Sequence, residues 1–177
     1  HLSIRRQRQM CIRDRFRGES IHKVDGKGRV SIPAAFRRVL EEHDPDYALG
    51  LNPNLIIVYG NINRKFLEGF SIASMNEVDE KIAALPRGSK ARRMLERMFS
   101  GQALHTNIDE TGRLVLPQKI REKIGIINDA VFVASGDTFQ IWQPDAYAEH
   151  EAKIDLWYDD KENDFDPLFL LEGEGLD

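Results

Sequence analysis

The residues of this chain best suited to holding another molecule are two arginines, Arg29 and Arg113, each directly after a glycine and four residues after an aspartate. A guanidinium offers a planar fork of donors that matches either a phosphate or the O6/N7 edge of guanine. Gly28 and Gly112 keep the neighbouring backbone slim enough for close approach, and amides in such a loop can face an anion. The two stretches are Asp25-Gly-Lys-Gly-Arg-Val-Ser-Ile-Pro-Ala-Ala-Phe-Arg37 and Asp109-Glu-Thr-Gly-Arg-Leu-Val-Leu-Pro-Gln-Lys-Ile-Arg121. At a constant offset of 84, Asp25 falls on Asp109, Gly28 on Gly112, Arg29 on Arg113, Pro33 on Pro117 and Arg37 on Arg121. The chain is an internal duplication, which predicts a pseudo-symmetric pair of small units.

The competing reading pairs each arginine with the aspartate across its own turn, a surface ion pair contributing at most about 1 kcal/mol. Retention of both arginines where most neighbours changed favours the binding role. Gly26-Lys27 corresponds to Glu110-Thr111, so the first loop is cationic and the second nearly neutral. Lys27 and Arg29 are therefore expected to supply most of any phosphate attraction, with Arg113 in the second loop. Arg17, just upstream, is a further candidate, equally readable as an ordinary solvated arginine.

The elements that must position these residues follow from local pattern. Ser20 to Val24 and Arg29 to Ile32 read as strands joined by the Asp25-Gly26-Lys27-Gly28 turn, which places Arg29 at a hairpin tip. A helix follows, with Pro33 at its first position and Phe36, Val39 and Leu40 on one face. Tyr47 to Leu51 and Leu55 to Tyr59 read as a closing hairpin. The second copy runs from about Leu104 to Trp142, with a helix from Pro117 that carries Ile120 and Ile124 and ends at Gly125. Its closing hairpin is Ala130 to Ala134 with Thr138 to Trp142. Between the copies, Phe66, Leu67 and Phe70, then Val78, Ile82 and Leu85, have helical spacing, and a helix from about Ser89 to Phe99 sets Met94, Leu95 and Met98 on one face. A last helix runs from Pro144-Asp145 to about Tyr158.

Composition bounds the function classes. The 177 residues are 41% hydrophobic and 31% charged, ordinary globular values, with no apolar run near the roughly 20 residues that cross a bilayer. A single cysteine, Cys11, excludes an intramolecular disulfide framework and fits a reducing compartment. The net charge of −4 is uneven, since residues 159–177 carry eight acidic residues against Lys161 alone. Residues 16–158 are nearly neutral, so any polyanion site is a local patch. The first fifteen residues hold five arginines, show no apolar periodicity and read as an extraneous segment, the alternative being a basic arm.

Catalytic readings are thin. Gly26-Lys-Gly28 lacks P-loop spacing, and Ser31 lacks nucleophile-elbow context. His22, His43, His105 and His150 have no metal-ligand spacing. No catalytic residue, metal ligand or cofactor is expected, and the chain does not read as an enzyme.

At the duplicated motif the sequence resembles the MraZ family of the AbrB/MazE-like superfamily. The resemblance rests on Phe16-Arg17-Gly18, on Asp25-x-Lys27-Gly28-Arg29-Val30 with Pro33, and on Asp109-x-x-Gly112-Arg113-Leu114 with Pro117. It covers roughly residues 16–158. Family proteins begin with Met-Phe-Arg-Gly-like residues, and Arg15 stands here in the methionine's place. The resemblance implies an α+β fold of duplicated AbrB-like swapped-hairpin, double-split β-barrel halves with connecting and C-terminal helices. Its divisions would be 16–61 for the first repeat, 62–102 for a helical spacer, 103–146 for the second repeat, 147–158 for the C-terminal helix and 159–177 for an acidic tail. It also implies a ring-forming homo-oligomer, cytoplasmic and nucleoid-associated, that binds direct repeats in double-stranded promoter DNA. The target would be the division and cell-wall gene cluster that includes its own gene, with repression as the outcome. Arg29 and Arg113 carry over as the family's Asp-x-x-x-Arg arginines, and Lys27 matches a basic position in the first motif only. No membrane and no small-molecule substrate are implied. A modest patch per chain suffices, because linking sites around a ring raises avidity by roughly 10² to 10⁴. The alternative is an antitoxin-like module whose acidic tail, with Trp157, Phe165, Leu168 and Phe169, wraps a basic partner.

Overall fold

A computed structural model describes residues 15–48, 50–60, 63–159 and 166–172. The extraneous-segment reading of residues 1–15, apart from Arg15, and most of the acidic tail lie outside them. The chain divides into two compact units, residues 1–144 and 145–177.

In the first unit the strands are β1 (Glu19–Lys23), β2 (Arg29–Ser31), β3 (Asn54–Val58), β4 (Phe66–Phe70), β5 (Ala103–Asn107), β6 (Arg113–Val115), β7 (Asp129–Ser135) and β8 (Thr138–Trp142). Its helices are α1 (Ala34–Glu42), α2 (Ile72–Ala83), α3 (Lys90–Glu96) and α4 (Gln118–Ile124), and a π-helical turn, Arg97–Gly101, follows α3. Six strands form one antiparallel sheet in the order β1-β7-β8-β4-β3-β5, and β2 and β6 form a separate two-stranded ladder.

That order is the same from either end once the copies are superposed. Each opening strand leaves its own copy and pairs with the closing hairpin of the other: Ser20 opposite Phe132 in β1·β7, Leu104 opposite Ile57 in β5·β3. The second strands, β2 and β6, pair with each other. The expected β1–β2 hairpin accordingly has no ladder of its own, and only Val24 and Val30 bridge it. Both copies therefore build one core, in which Phe16 packs edge-on against Phe36 of the first copy and Phe139 of the second, at 5.2 and 5.1 Å. Leu40, Leu55, Leu67, Leu114, Phe132 and Ile141 are fully buried around them.

Two element assignments read from the sequence are corrected. Phe66, Leu67 and Phe70 lie on strand β4, not on a helix, so the expected helical spacer opens with a strand. β4 is held on both edges, by β3 and β8, and Gly69 admits the Phe139 ring where a side chain would collide with it. Five residues, Phe-Leu-Glu-Gly-Phe, are too few to separate a strand from a helical turn by apolar spacing, so the helical spacing there was coincidental. Tyr47–Leu51 is not a strand among its described residues. It is a pair of turns, with Tyr47 N–H bonded to Asp44 O and Leu51 N–H to Ala48 O. Buried Asp44 organises them by accepting from Asp46 N, Asn54 N and Asn54 Nδ2. The first copy's closing hairpin is β3 with β4.

The helices follow their signals more closely. α1 buries Phe36, Val39 and Leu40, and α4 buries Ile120 and ends at Gly125 in the left-handed region, φ 74°. α2 is capped by the Ser71 side chain and α3 by that of Ser89, each accepting from a backbone N–H three residues on. Leu95 and Met98 are half-buried, but Met94 is exposed, which corrects its place on the expected apolar face. α5 (Pro144–Asp159) lies in the second unit from Asp145 on and stacks Trp157 edge-on against Tyr158, and in the same unit a 3₁₀ turn spans Pro167–Glu172 with Leu168 and Leu171 exposed. No helix of the described residues is long and apolar enough to cross a membrane.

Candidate nucleic-acid interface

The duplicated stretches fold into loops of matching geometry. In the first, Gly28 N–H bonds Asp25 O at 2.9 Å and Asp25 N–H bonds Arg29 O at 3.0 Å. The second repeats this with Gly112 to Asp109 at 2.9 Å and Asp109 to Arg113 at 2.8 Å. Each glycine takes a positive φ, 81° at Gly28 and 79° at Gly112, closing a turn that an L side chain would strain. The aspartate carboxylate ties the loop together. Asp25 Oδ1 accepts from Lys27 N and Arg29 N, both at 2.9 Å, and Asp109 Oδ1 accepts from Thr111 N and Arg113 N, again at 2.9 Å.

The ion pair weighed as an alternative is present in both copies. Arg29 Nε lies 2.6 Å from Asp25 Oδ2, and Arg113 Nε 3.3 Å from Asp109 Oδ2. These contacts use only Nε, so the Nη groups of both arginines carry no hydrogen bond to the described residues. The carboxylate thus fixes the plane of each guanidinium and leaves its fork open. Arg29 N–H and side-chain donation hold Asp25 below the ordinary carboxylate range. The Thr111 hydroxyl, 2.6 Å from Asp109 Oδ1, leads the effects that hold Asp109 at about 2.

A further correction concerns where the arginines sit. Neither is at a hairpin tip: Arg29 opens β2 and Arg113 opens β6. In the β2·β6 ladder Arg29 is opposite Val115, Val30 opposite Leu114, and Ser31 opposite Arg113. Strand alternation points Val30 and Leu114 into the core, where they are 1% and 0% exposed, and turns Arg29, Ser31, Arg113 and Val115 outward. Two arginines 84 residues apart in sequence therefore share one face of a short ribbon, as diagonal neighbours about 7–8 Å apart by ordinary sheet spacing. Lys27, exposed on the first loop, flanks them. Arg17 is not joined to this group by any hydrogen bond or ion pair among the described residues. It is exposed beside the β7–β8 turn, where Phe16 N–H bonds Gly136 O and Gly18 O accepts from Ala134 N.

Pro33 and Pro117 are the residues before α1 and α4, at φ −50° and −56°, and turn each chain from ladder to helix. Those helices carry two residues whose part was not read from the sequence, Arg37 and Arg121. Each crosses to the opposite copy's loop: Arg121 Nε stands 2.9 Å from where a Cβ on Gly28 would be, and Arg37 Cζ 2.7 Å from that point on Gly112. Arg121 Nε is satisfied by Leu116 O at 3.0 Å, whereas Arg37 Nε is buried without a partner. The available signal was their shared offset of 84, which placed both in the motif without assigning a contact.

Comparison with known proteins places the chain among relatives of one kind. A family model for the MraZ protein, described as antitoxin-like, matches residues 98–166. A protein of Ruegeria sp. (strain TM1040) named "Transcriptional regulator MraZ" is 59% identical over 162 residues, covering 91% of this chain and 97% of that protein. Proteins of the same name from Cereibacter sphaeroides (strain ATCC 17025) and Rickettsia akari are 46% and 33% identical, covering 75% and 76% of the chain.

Proposed function

The chain belongs to the MraZ family of transcriptional regulators, and from that membership we propose that it regulates transcription by binding double-stranded DNA through the outward face of the β2·β6 ladder. The observation that carries this reading is the convergence of Arg29 and Arg113 on one exposed ribbon face with their Nη groups open. A two-stranded ribbon fits the major groove, and an open guanidinium fork can grip a phosphate or a guanine edge. Asp25 and Asp109 act as positioning groups, and Lys27 adds charge on one side.

The finer reading follows the family resemblance. The exchange of opening strands fits the swapped-hairpin, double-split barrel of the AbrB-like superfamily, with repeats at about 16–61 and 103–146. A ring of such chains would meet successive direct repeats in the promoter of the division and cell-wall cluster and repress its own gene. Nucleoid association in the cytoplasm and the absence of catalysis belong to the same reading, in which Arg17, at the end of β1 away from the first loop, is an ordinary solvated arginine and not part of the ribbon face.

The test is fluorescence-anisotropy binding of the full chain to the upstream region of its own operon, wild type beside Arg29→Ala, across a salt series. Tight binding that weakens steeply with salt and is lost in Arg29→Ala supports the reading, since each phosphate contact adds about −0.9 to the salt slope. Absence of binding by an intact oligomer at low salt rejects it. A second reading, an antitoxin-like module that binds a basic protein through residues 159–177, draws on the antitoxin-like description of the matching family model. A partner captured by the full chain and released on removing those residues would favour it.

A further inference from the structure

We propose that Arg37 is a DNA-phosphate contact of the second loop, supplying from the first copy's helix the positive charge that Lys27 supplies to the first loop. The inference rests on the DNA-binding reading above and names a residue to which the shared motif assigns no role. By its own residues the second loop is poorly equipped: Glu110-Thr111 stands where the first has Gly26-Lys27. The Thr111 hydroxyl is already committed to Asp109. The fold brings another cation to that place. Arg37 lies flat against Gly112, its Nη1 and Cζ occupying the space a Cβ would fill, so the close approach depends on glycine.

Among the described residues the Arg37 side chain has no ion pair and no hydrogen bond, and its Nε is buried without a partner. Buried donors are normally satisfied, so this guanidinium is uncommitted: among the described residues no acceptor holds it, and its Nη groups remain open to one from outside. The pseudo-symmetric residue provides the contrast. Arg121 occupies the same position over Gly28 but donates its Nε–H to Leu116 O at 3.0 Å, and the loop it covers already carries Lys27. Each loop thus has an arginine of the other copy's helix laid against its glycine, and only the first loop adds a cation of its own, Lys27.

The experiment uses the full chain, a duplex carrying the upstream region of its operon, and a salt series for wild type, Arg29→Ala, Arg37→Ala, Arg37→Gln and Arg37→Lys. Expected are weaker binding for Arg37→Ala and Arg37→Gln and a salt slope shallower by about 0.9 for each phosphate no longer neutralised, with Arg37→Lys keeping the wild-type slope. Arg37→Gln retains much of the side chain's packing, so it decides the matter should Arg37→Ala prove unfolded by circular dichroism. A wild-type slope in a folded Arg37→Gln, whether or not affinity falls, overturns the proposal and leaves Arg37 a packing residue. That result with Arg29→Ala still unable to bind leaves the DNA-binding reading standing, whereas a wild type that binds no DNA removes both.

Discussion

Arg29 and Arg113 are diagonal neighbours on the outer face of the β2·β6 ladder, each held through Nε by the aspartate four residues before it. The ion pairs and the binding role are therefore compatible: the carboxylate takes the donor nearest the chain and orients the two that project furthest. Exposed pairs of this kind add little to stability, so their value lies in fixing a side chain that would otherwise lose rotamer freedom on binding.

Arg113→Ala should weaken binding to the operon's upstream DNA by at least about tenfold, roughly 1.4 kcal/mol, and by less than Arg29→Ala. The inequality follows from the tighter Asp25–Arg29 pair, 2.6 Å against 3.3 Å for Asp109–Arg113, which holds the first guanidinium more firmly in place for a ligand. Anisotropy titrations at one salt concentration check it, and wild-type affinity for Arg113→Ala would show that the ribbon face is not used as a unit.

Acid should loosen the second loop at a predictable place. The Asp109 carboxyl titrates at about 2, below its ordinary 3.8, because the Thr111 hydroxyl and the Arg113 N–H favour the charged form. A depressed folded value means the contribution is whole above about 3.8 and is lost as the pH falls toward 2. Urea midpoints from pH 5 to pH 2 should fall less steeply for Asp109→Asn than for wild type.

The two glycines on either side of Lys27 should respond differently to alanine. Gly28, at φ 81° and packed on Leu116 O, should lose more than about 1 kcal/mol as Gly28→Ala. Gly26 has open space around it and should stay within about 0.5 kcal/mol as Gly26→Ala. Chemical denaturation of the pair reads the difference directly, and equal losses would contradict the loop geometry.

Gly69→Ala tests the reassignment of β4. A Cβ there would come within 2.5 Å of Phe139 Cε1 and Cε2, in a core with no room for the ring to retreat from Phe16 and Phe36. Overpacking of this kind costs about 1–3 kcal/mol, visible as a lowered thermal midpoint. A neutral substitution would fit an exposed helical Gly69 and not a central strand.

Local chemistry was legible in the sequence. The duplication, the two Asp-x-x-Gly-Arg loops, the start of α1 after Pro33 and the end of α4 at Gly125 depend on interactions a few residues apart, and residue type there selects the backbone conformation directly. What the tertiary structure decided is partnership. Nothing local tells β1 that its mate is β7 and not β2, because a strand's open edge accepts any strand of suitable register. The chain's choice follows from burying Val24, Val30 and Leu114 in a core shared by both copies. β4 was unreadable as a strand because five residues that include Glu68 and Gly69 carry too short an apolar pattern, and its pairing with β3 and β8 is what fixes it. The shared core also carried Arg37 and Arg121 across to glycines of the opposite copy, an approach no spacing rule encodes. Sequence thus determined the loops and their arginines, and the exchange of strands decided that the arginines face the same way.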